Sequence, residues 1–214
     1  MESNVEYIIT SIKELTKKRR LIYINYEPAF ALYIGELRKF GIRDGEVLTQ
    51  NIFDTLVDDV LKKRATIRAM SLLKDKDYTR KELQDKLREG YYPESCIESA
   101  IEYVERYGYI NDERYAENYV SFKASSKPRR QIEVKLKQKG IDSDIISRIC
   151  DEFYTDNDNY ELEQAKNFVL KKNIDLEHAD YKEIQKIKAA LFRKGFSFEV
   201  INKALDIVDD DYYM

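Results

Sequence analysis

A spacing of apolar residues occurs three times along the chain and limits the folds that it can adopt. Each copy starts with an alanine, and two large apolar residues follow at the third and fourth positions after it. Apolar residues at this spacing share one face of an α-helix. The first segment of each copy is therefore predicted to be a helix with one buried face. The three alanines are Ala69, Ala116 and Ala165.

Two further segments complete each copy. The second carries two apolar residues four positions apart, and the third carries two adjacent ones, so both segments favour amphipathic helices. The pairs in the second segments are Leu83 and Leu87, Ile132 and Leu136, and Ile187 and Leu191. The pairs in the third segments are Cys96 and Ile97, Ile145 and Ile146, and Val200 and Ile201.

These segments predict a mainly α-helical protein with three tandem three-helix repeats. Thr79 with Glu82 and Asp180 with Glu183 have the spacing of a capping box, which marks the start of a helix. Repeats that bury their apolar faces against their neighbours form an elongated, curved array. The predicted repeats are residues 63–110, 111–157 and 158–208, and an acidic tail, residues 209–214, follows them.

Residues 1–62 have a different pattern. Runs rich in Val, Ile and Tyr predict a small antiparallel sheet of two or three strands, followed by a helix that begins near Thr49 and links the sheet to the repeats. The basic run Lys17–Arg20 separates the first two strands and is interpreted as a solvated hairpin tip rather than a binding site. A sheet of this size is marginal by itself and needs a surface to pack on.

Composition restricts the class of protein. The 214 residues carry a formal net charge of −3, so the overall charge does not indicate a nucleic-acid-binding protein. No apolar run is long enough to span a bilayer, and the first residues do not resemble a signal sequence. Cys96 and Cys150 fall in helical patterns and are interpreted as buried thiols of a reduced, cytoplasmic protein.

The sequence contains no convincing catalytic constellation. His178 is the only histidine and lies in a predicted loop, which argues against a histidine relay or a histidine-based metal site. The chain has no glycine-rich phosphate-binding loop, and its many carboxylates are expected on solvated helix faces. We therefore predict that the protein is not an enzyme and that it holds no cofactor or metal ion.

Basic residues concentrate in the second repeat. Seven of them and one acid, Glu133, lie between Lys123 and Lys139. Arg130 and Lys137 face away from the apolar side of their helix, whereas Lys135 and Lys139 are predicted to lay their stems over the core. We predict a basic ridge that binds a partner or DNA, although such residues also serve solubility alone. The ridge comprises Arg80, Lys81, Arg88, Lys127, Arg129, Arg130, Lys137, Lys186, Lys188, Arg193 and Lys194.

Four stretches resemble the RecX family, bacterial regulators of the RecA recombinase. The most specific is YGYINDERYAENYV, Tyr107–Val120, because generic helical repeats have no reason to carry it. The third repeat differs from the first two. It has Gln185 and Phe192 at positions where the first two repeats carry paired basic residues. The other stretches are YTRKELQDKL, KPRRQIEVKLKQKGI and LFRKGFSFEVINKAL.

The resemblance implies a regulator that binds in the groove of the RecA filament on single-stranded DNA. It implies that the protein, expected to be a monomer, opposes filament growth and suppresses ATPase, strand-exchange and co-protease activity. Two other functions remain open from the residues themselves. One is a nucleic-acid-binding module that acts without RecA and binds DNA directly. The other is a helical scaffold whose partner is unrelated to recombination.

Overall fold

The computed structural model describes residues 6–156, 159–172 and 179–205. The chain forms two compact units, Met1–Asn111 and Asp112–Met214. The predicted loop around His178 and the predicted acidic tail, residues 209–214, lie outside the described residues.

The first unit begins with an antiparallel sheet of four strands in the order β3-β2-β1-β4. The predicted small sheet is confirmed, but the prediction of at most three strands is wrong. The fourth strand pairs with β1 and has two residues, too few to show an alternating pattern. The strands are β1, Tyr7–Glu14; β2, Arg19–Ile24; β3, Glu27–Tyr33; and β4, Val47–Leu48.

The two hairpins of the sheet have different turns. Asn25 and Tyr26 connect β2 to β3 with φ of 50° and 71°, the left-handed pair that matches the twist of a tight hairpin. Lys17 and Lys18 lie exposed at the tip between β1 and β2, as the sequence indicates. Arg19, however, already belongs to β2, and its guanidinium Nη2 donates to the carbonyl of Gly90, 2.7 Å away.

One continuous helical stretch packs against the sheet. Thr49 caps it, accepting a hydrogen bond from the amide of Ile52. Phe30 of β3 and Leu56 and Leu61 of the stretch are almost fully buried in a common core, where each such side chain stabilises by about 1.5–3 kcal/mol. A short helix, α1, Ile34–Lys39, precedes the stretch, which comprises α2, Gln50–Thr55, a π-helical segment, Leu56–Leu61, and α3, Lys62–Asp75.

The first three-helix repeat shares this core with the sheet. It consists of α3, α4, Arg80–Arg88, and α5, Glu94–Arg106. The turn after α4 lies on the outer edge of the sheet, where the amide of Ala31 donates to the carbonyl of Tyr91 at 3.2 Å. An exposed strand edge is a site for unwanted pairing, and this turn covers part of it.

The second unit contains six helices within its described residues, and they form two repeats with separate cores. The predicted apolar residues of all three repeats are buried or pack against the cores. The helices are α6, Asp112–Lys123; α7, Arg129–Gln138; α8, Ser143–Asp156; α9, Asn159–Leu170; α10, Tyr181–Lys194; and α11, Phe198–Ala204.

Local signals for helix ends agree with the prediction. Both capping boxes are present: Thr79 caps α4 with Glu82, and Asp180 caps α10 with Glu183. The corresponding position after the second helix of each repeat has a left-handed backbone. Tyr91, Gly140 and Gly195 have φ of 58°, 84° and 99°.

Cys96 and Cys150 are buried free thiols, as predicted. Burial raises the pKa of both thiols, that of Cys150 to about 11. No helix in the described part of the chain combines the length and apolarity needed to cross a membrane.

The left-handed position after α10 gives a stability prediction. Gly195→Ala places a Cβ at a φ of 99°, and we expect it to lower the free energy of unfolding by about 1–2 kcal/mol. Gly35→Ala is the control, because Gly35 lies in α1 with open space around it, and helix propensity favours alanine there by about 0.5–1 kcal/mol. Urea denaturation of both variants measures the difference. Equal effects of the same sign would contradict the assignment.

Candidate partner-binding surface

Helix α7 has an apolar face and a basic face. Ile132 and Leu136 are fully buried, whereas Arg130, Val134 and Lys137 are exposed. The helical rotation of about 100° per residue produces this division, because the buried pair lies one turn apart and the exposed residues fall on the opposite side. Burial of Ile132 and Leu136 therefore orients the basic side chains outward.

A groove lies between α7 and α10 in the second unit, and we refer to it as the α7–α10 groove. Its volume is about 500 Å³. Gln131 of α7 donates from Nε2 to the carbonyl of Lys194, 2.6 Å away, and this bond holds the two helices at a fixed spacing. The residues that line it are Lys127, Arg130, Gln131, Val134, Lys135, Gln138, Phe192, Arg193, Lys194 and Gly195.

The charge in the α7–α10 groove has one sign. Five of its lining residues are basic and none is acidic. Arg130 and Arg193 form no ion pair with any residue that the structure describes. A basic recess of this kind attracts an anionic surface, and added salt screens the attraction over about 8–10 Å.

Aromatic and apolar side chains accompany the charges. The Arg130 guanidinium lies 5.7 Å from the ring centre of Phe192, which stacks in turn on Phe198 at 4.9 Å. Phe192, Phe198 and Val134 are 41%, 65% and 50% exposed, so apolar surface is available to a partner. Lys137 lines a smaller adjoining cavity of about 330 Å³, together with Arg130 and Val134.

The structure thus brings together Lys127, Arg130, Arg193 and Lys194 of the predicted ridge. It also adds Lys135, which is exposed and lines the groove. Helical periodicity locates both α7 and α10, but it does not show how they face each other. The hydrogen bond from Gln131 to the carbonyl of Lys194 fixes how the two helices face each other, and no pattern in the sequence predicts that bond.

Arg129 has a different environment from Arg130. Its side chain is 30% exposed and forms ion pairs with Glu133 and Asp151 at 2.6 and 2.7 Å. Burial lowers the pKa of Arg129, but the hydrogen bonds to these two carboxylates outweigh it and raise the pKa above its ordinary value. We assign Arg129 a role in holding α7 against α8.

The amino terminus of α7 is stabilised from the next repeat. Pro128 is its N-cap and offers no side-chain acceptor, so Glu161 of α9 accepts the hydrogen bond from the amide of Arg129 at 2.9 Å. A carboxylate at this end also complements the helix dipole. Burial raises the pKa of Glu161, an effect that this backbone hydrogen bond partly offsets.

The ridge residues of the first repeat lie among acids. Arg80 forms ion pairs with Glu98 and Glu105, and Arg88 pairs with Asp85 and Glu94. Their charges are therefore largely neutralised locally. Lys81 is exposed and forms no ion pair with the described residues.

The remaining ridge residues of the third repeat lie on α10 outside the groove. Lys186 is exposed and Lys188 is half-buried, and neither lines the α7–α10 groove. Within the described ranges, no group of three or more His, Cys, Asp or Glu side chains is placed to hold a metal ion.

The chain is similar to known proteins over most of its length. Three family models match the chain: the first three-helix domain of RecX over residues 65–103, the second over 111–148 and the third over 158–205. Regulatory protein RecX of Caldanaerobacter subterraneus is 32% identical over 202 residues, which cover 94% of this chain and 99% of the relative. Regulatory protein RecX of Clostridium acetobutylicum is 30% identical over 210 residues, or 96% of both chains.

Solved structures are also similar. A crystal structure of regulatory protein RecX has a TM-score of 0.63 and 25% identity, and it covers 94% of this chain and 100% of that chain. The crystal structure of RecX from Lactobacillus salivarius has a TM-score of 0.58 and 30% identity, with 69% of this chain and 97% of that chain covered.

The Arg129 network predicts a pH dependence. The hydrogen bond from Arg129 lowers the pKa of Asp151, so its stabilisation is present above the ordinary carboxyl pKa of 3.8 and is lost as the pH falls through the folded-state value. We expect the difference in melting temperature between wild type and Asp151→Asn to be present at pH 6 and to disappear as the pH falls well below 3.8.

Glu117→Gln is the control for this measurement, because Glu117 is exposed and pairs with no basic residue that the structure describes. Its difference from wild type should stay nearly constant across the same pH range. A difference for Asp151→Asn that is equally constant would contradict the role of the Arg129 pair.

Proposed function

This chain belongs to the RecX family of regulatory proteins, and we propose that it regulates the RecA recombinase. It binds the RecA filament on single-stranded DNA, opposes filament growth and suppresses ATPase and strand exchange. It does so without catalysis of its own, as a monomer, in the cytoplasm where the filament forms. Residues 63–110, 111–157 and 158–208 act as its three repeats.

The α7–α10 groove carries this proposal. Its five basic residues have no acid among them, and its exposed Phe192 and Val134 offer apolar contact. Interfaces combine such an apolar centre with a charged rim that sets orientation and association rate. The groove therefore suits an acidic protein surface that also presents apolar side chains.

A filament offers the same surface at each subunit. Several weak contacts on one chain can then form at the same time. Once the first contact has formed, the second forms at a high effective concentration because both sites belong to the same complex. Lys81 of the first repeat supplies such a further contact, because it is exposed and forms no ion pair with the described residues. Arg80 and Arg88 contribute less, since their acidic partners have to be displaced first.

Direct binding of single-stranded DNA is the second candidate function. The observation that favours it is the stacked pair Phe192 and Phe198, which lies beside Arg130 and Arg193. Aromatic side chains next to cations bind unpaired bases and phosphates together. This function does not require RecA.

Charge reversal in the groove tests the leading proposal. We expect Arg130→Glu with Arg193→Glu to raise the concentration needed for half-inhibition of RecA ATPase by roughly 10–100-fold, because two attractive contacts become repulsive. Circular dichroism should show unchanged helix content, since both side chains are exposed.

Lys182→Glu is the matched control, because Lys182 is exposed at the start of α10 and does not line the groove. Its inhibition should equal that of wild type. Undiminished inhibition by the folded double variant would remove the α7–α10 groove from the mechanism.

Co-sedimentation distinguishes the two functions. We expect the protein to pellet with preformed RecA–DNA filaments and to bind bare single-stranded DNA only weakly near physiological salt. If DNA alone is the target, five cations in contact with phosphates give a salt slope of about −3.5 in a double-logarithmic plot. Tight binding to bare DNA with that slope, and no gain from RecA, would favour the second function.

A further inference from the structure

A second basic cavity lies in the first unit, between the sheet and the first repeat. Its volume is about 480 Å³, which is within the range of small-molecule sites. Four of its lining side chains are basic: Arg19, Arg64, Arg68 and Lys86. None of these four belongs to the predicted ridge, and the cavity is independent of the α7–α10 groove.

Three parts of the fold bring these residues together. Arg19 is the first residue of β2, and its Nη2 donates to the Gly90 carbonyl in the turn after α4. Arg64 and Arg68 lie one helical turn apart on α3, so both point to the same side. Arg64 is held in place by Glu36 and by the ring of Tyr33, whose centre is 4.8 Å from the guanidinium.

The acids near the cavity do not balance its positive charge. Glu36 pairs with Arg64, and Glu89, which itself lines the cavity, pairs with Lys86 at 2.7 Å. Arg19 and Arg68 form no ion pair with the described residues. The cavity therefore has two guanidinium groups that lack a counter-charge.

One of these groups also has an unsatisfied donor. Nε of Arg19 is buried and has no hydrogen-bond partner among the residues that the structure describes. Leaving such a donor unpaired is unfavourable, and an oxygen acceptor that reaches Nε removes the cost.

The surroundings of Tyr92 agree with this arrangement. Burial raises the pKa of the Tyr92 phenol, and the positive charges of Arg19, Arg64 and Arg68 act in the opposite direction. All three guanidinium groups thus lie close enough to act on one hydroxyl. The same three positive charges attract a negatively charged group that lies beside Tyr92.

We propose that this cavity binds the phosphate group of a nucleoside phosphate. Arginine presents parallel N–H donors that match the oxygens of phosphate, and Arg19 and Arg68 supply them. Tyr33 and Ile67, 43% and 69% exposed, line the cavity and offer a flat and an apolar surface to the nucleoside.

Two features favour a small ligand over a nucleic-acid strand. A strand requires cations spaced along a path, whereas the two uncompensated guanidinium groups here share one recess. The volume also exceeds the space that a single inorganic phosphate fills, so the ligand carries a further group.

Calorimetric titration of the full chain with AMP, ADP, adenosine and inorganic phosphate tests the proposal. We expect AMP or ADP to bind, adenosine to bind at least tenfold more weakly, and Arg68→Ala to weaken nucleotide binding at least tenfold. Arg68 is exposed and does not support the core, so Arg68→Ala should keep the wild-type melting temperature.

Two further variants sharpen the test. Arg106→Ala removes an exposed arginine at the end of α5, away from the cavity, and should leave binding unchanged. Arg19→Lys keeps the charge but removes the guanidinium, both Nε and the Nη2 that donates to the Gly90 carbonyl, and should weaken nucleotide binding although the charge is the same.

Several outcomes would overturn the proposal. These are no binding of either nucleotide at millimolar concentration, equal affinity for adenosine, equal affinity for inorganic phosphate, and nucleotide binding that Arg68→Ala does not reduce. Tighter, Arg68-dependent binding of a 5′-phosphorylated oligonucleotide would assign the phosphate to a strand end and overturn the nucleotide assignment.

Discussion

Burial of the apolar pair on the second helix of each repeat is the constraint on which the rest depends. Leu83 and Leu87 on α4 are fully buried, and the equivalent pairs on α7 and α10 are at most 3% exposed. Because each pair lies one turn apart, its burial fixes the rotation of the helix about its axis. The same rotation turns Arg130 and Lys137 to the outside of α7. The core thus decides which side chains a partner can reach.

The chain's periodicity was sufficient to predict the helices, their buried residues and the capping boxes, because these depend on neighbours within a few positions. It was not sufficient to predict the state of each charge. Arg80 and Arg130 both lie in the first turn of a second helix, yet Arg80 contacts Glu98 and Glu105 of α5, whereas Arg130 lies over Phe192 of α10. Those contacts depend on tertiary packing. The two-residue strand β4 escaped prediction for a related reason, since it exists only through its pairing with β1.

Both cavities form where two elements meet rather than on a single helix. The α7–α10 groove depends on the bond from Gln131 to the carbonyl of Lys194, and the cavity of the first unit depends on the bond from Arg19 to the carbonyl of Gly90. In each bond the acceptor is a backbone carbonyl at or just after the end of the second helix of a repeat. Lys194 is the last residue of α10, and Gly90 lies in the turn after α4. Similar turns therefore create recesses of different composition, according to the element that lies opposite.

The sheet and the first repeat share one apolar core, with Ile22 and Leu32 on one side and Ile97 and Ile101 on the other. Neither side can separate without exposing the other to water. The amide protons of β2 and α5, although far apart along the chain, should consequently exchange with solvent through the same cooperative opening. The extension before the repeats is in this sense an integral part of the first one, and its removal would leave an incomplete folding unit.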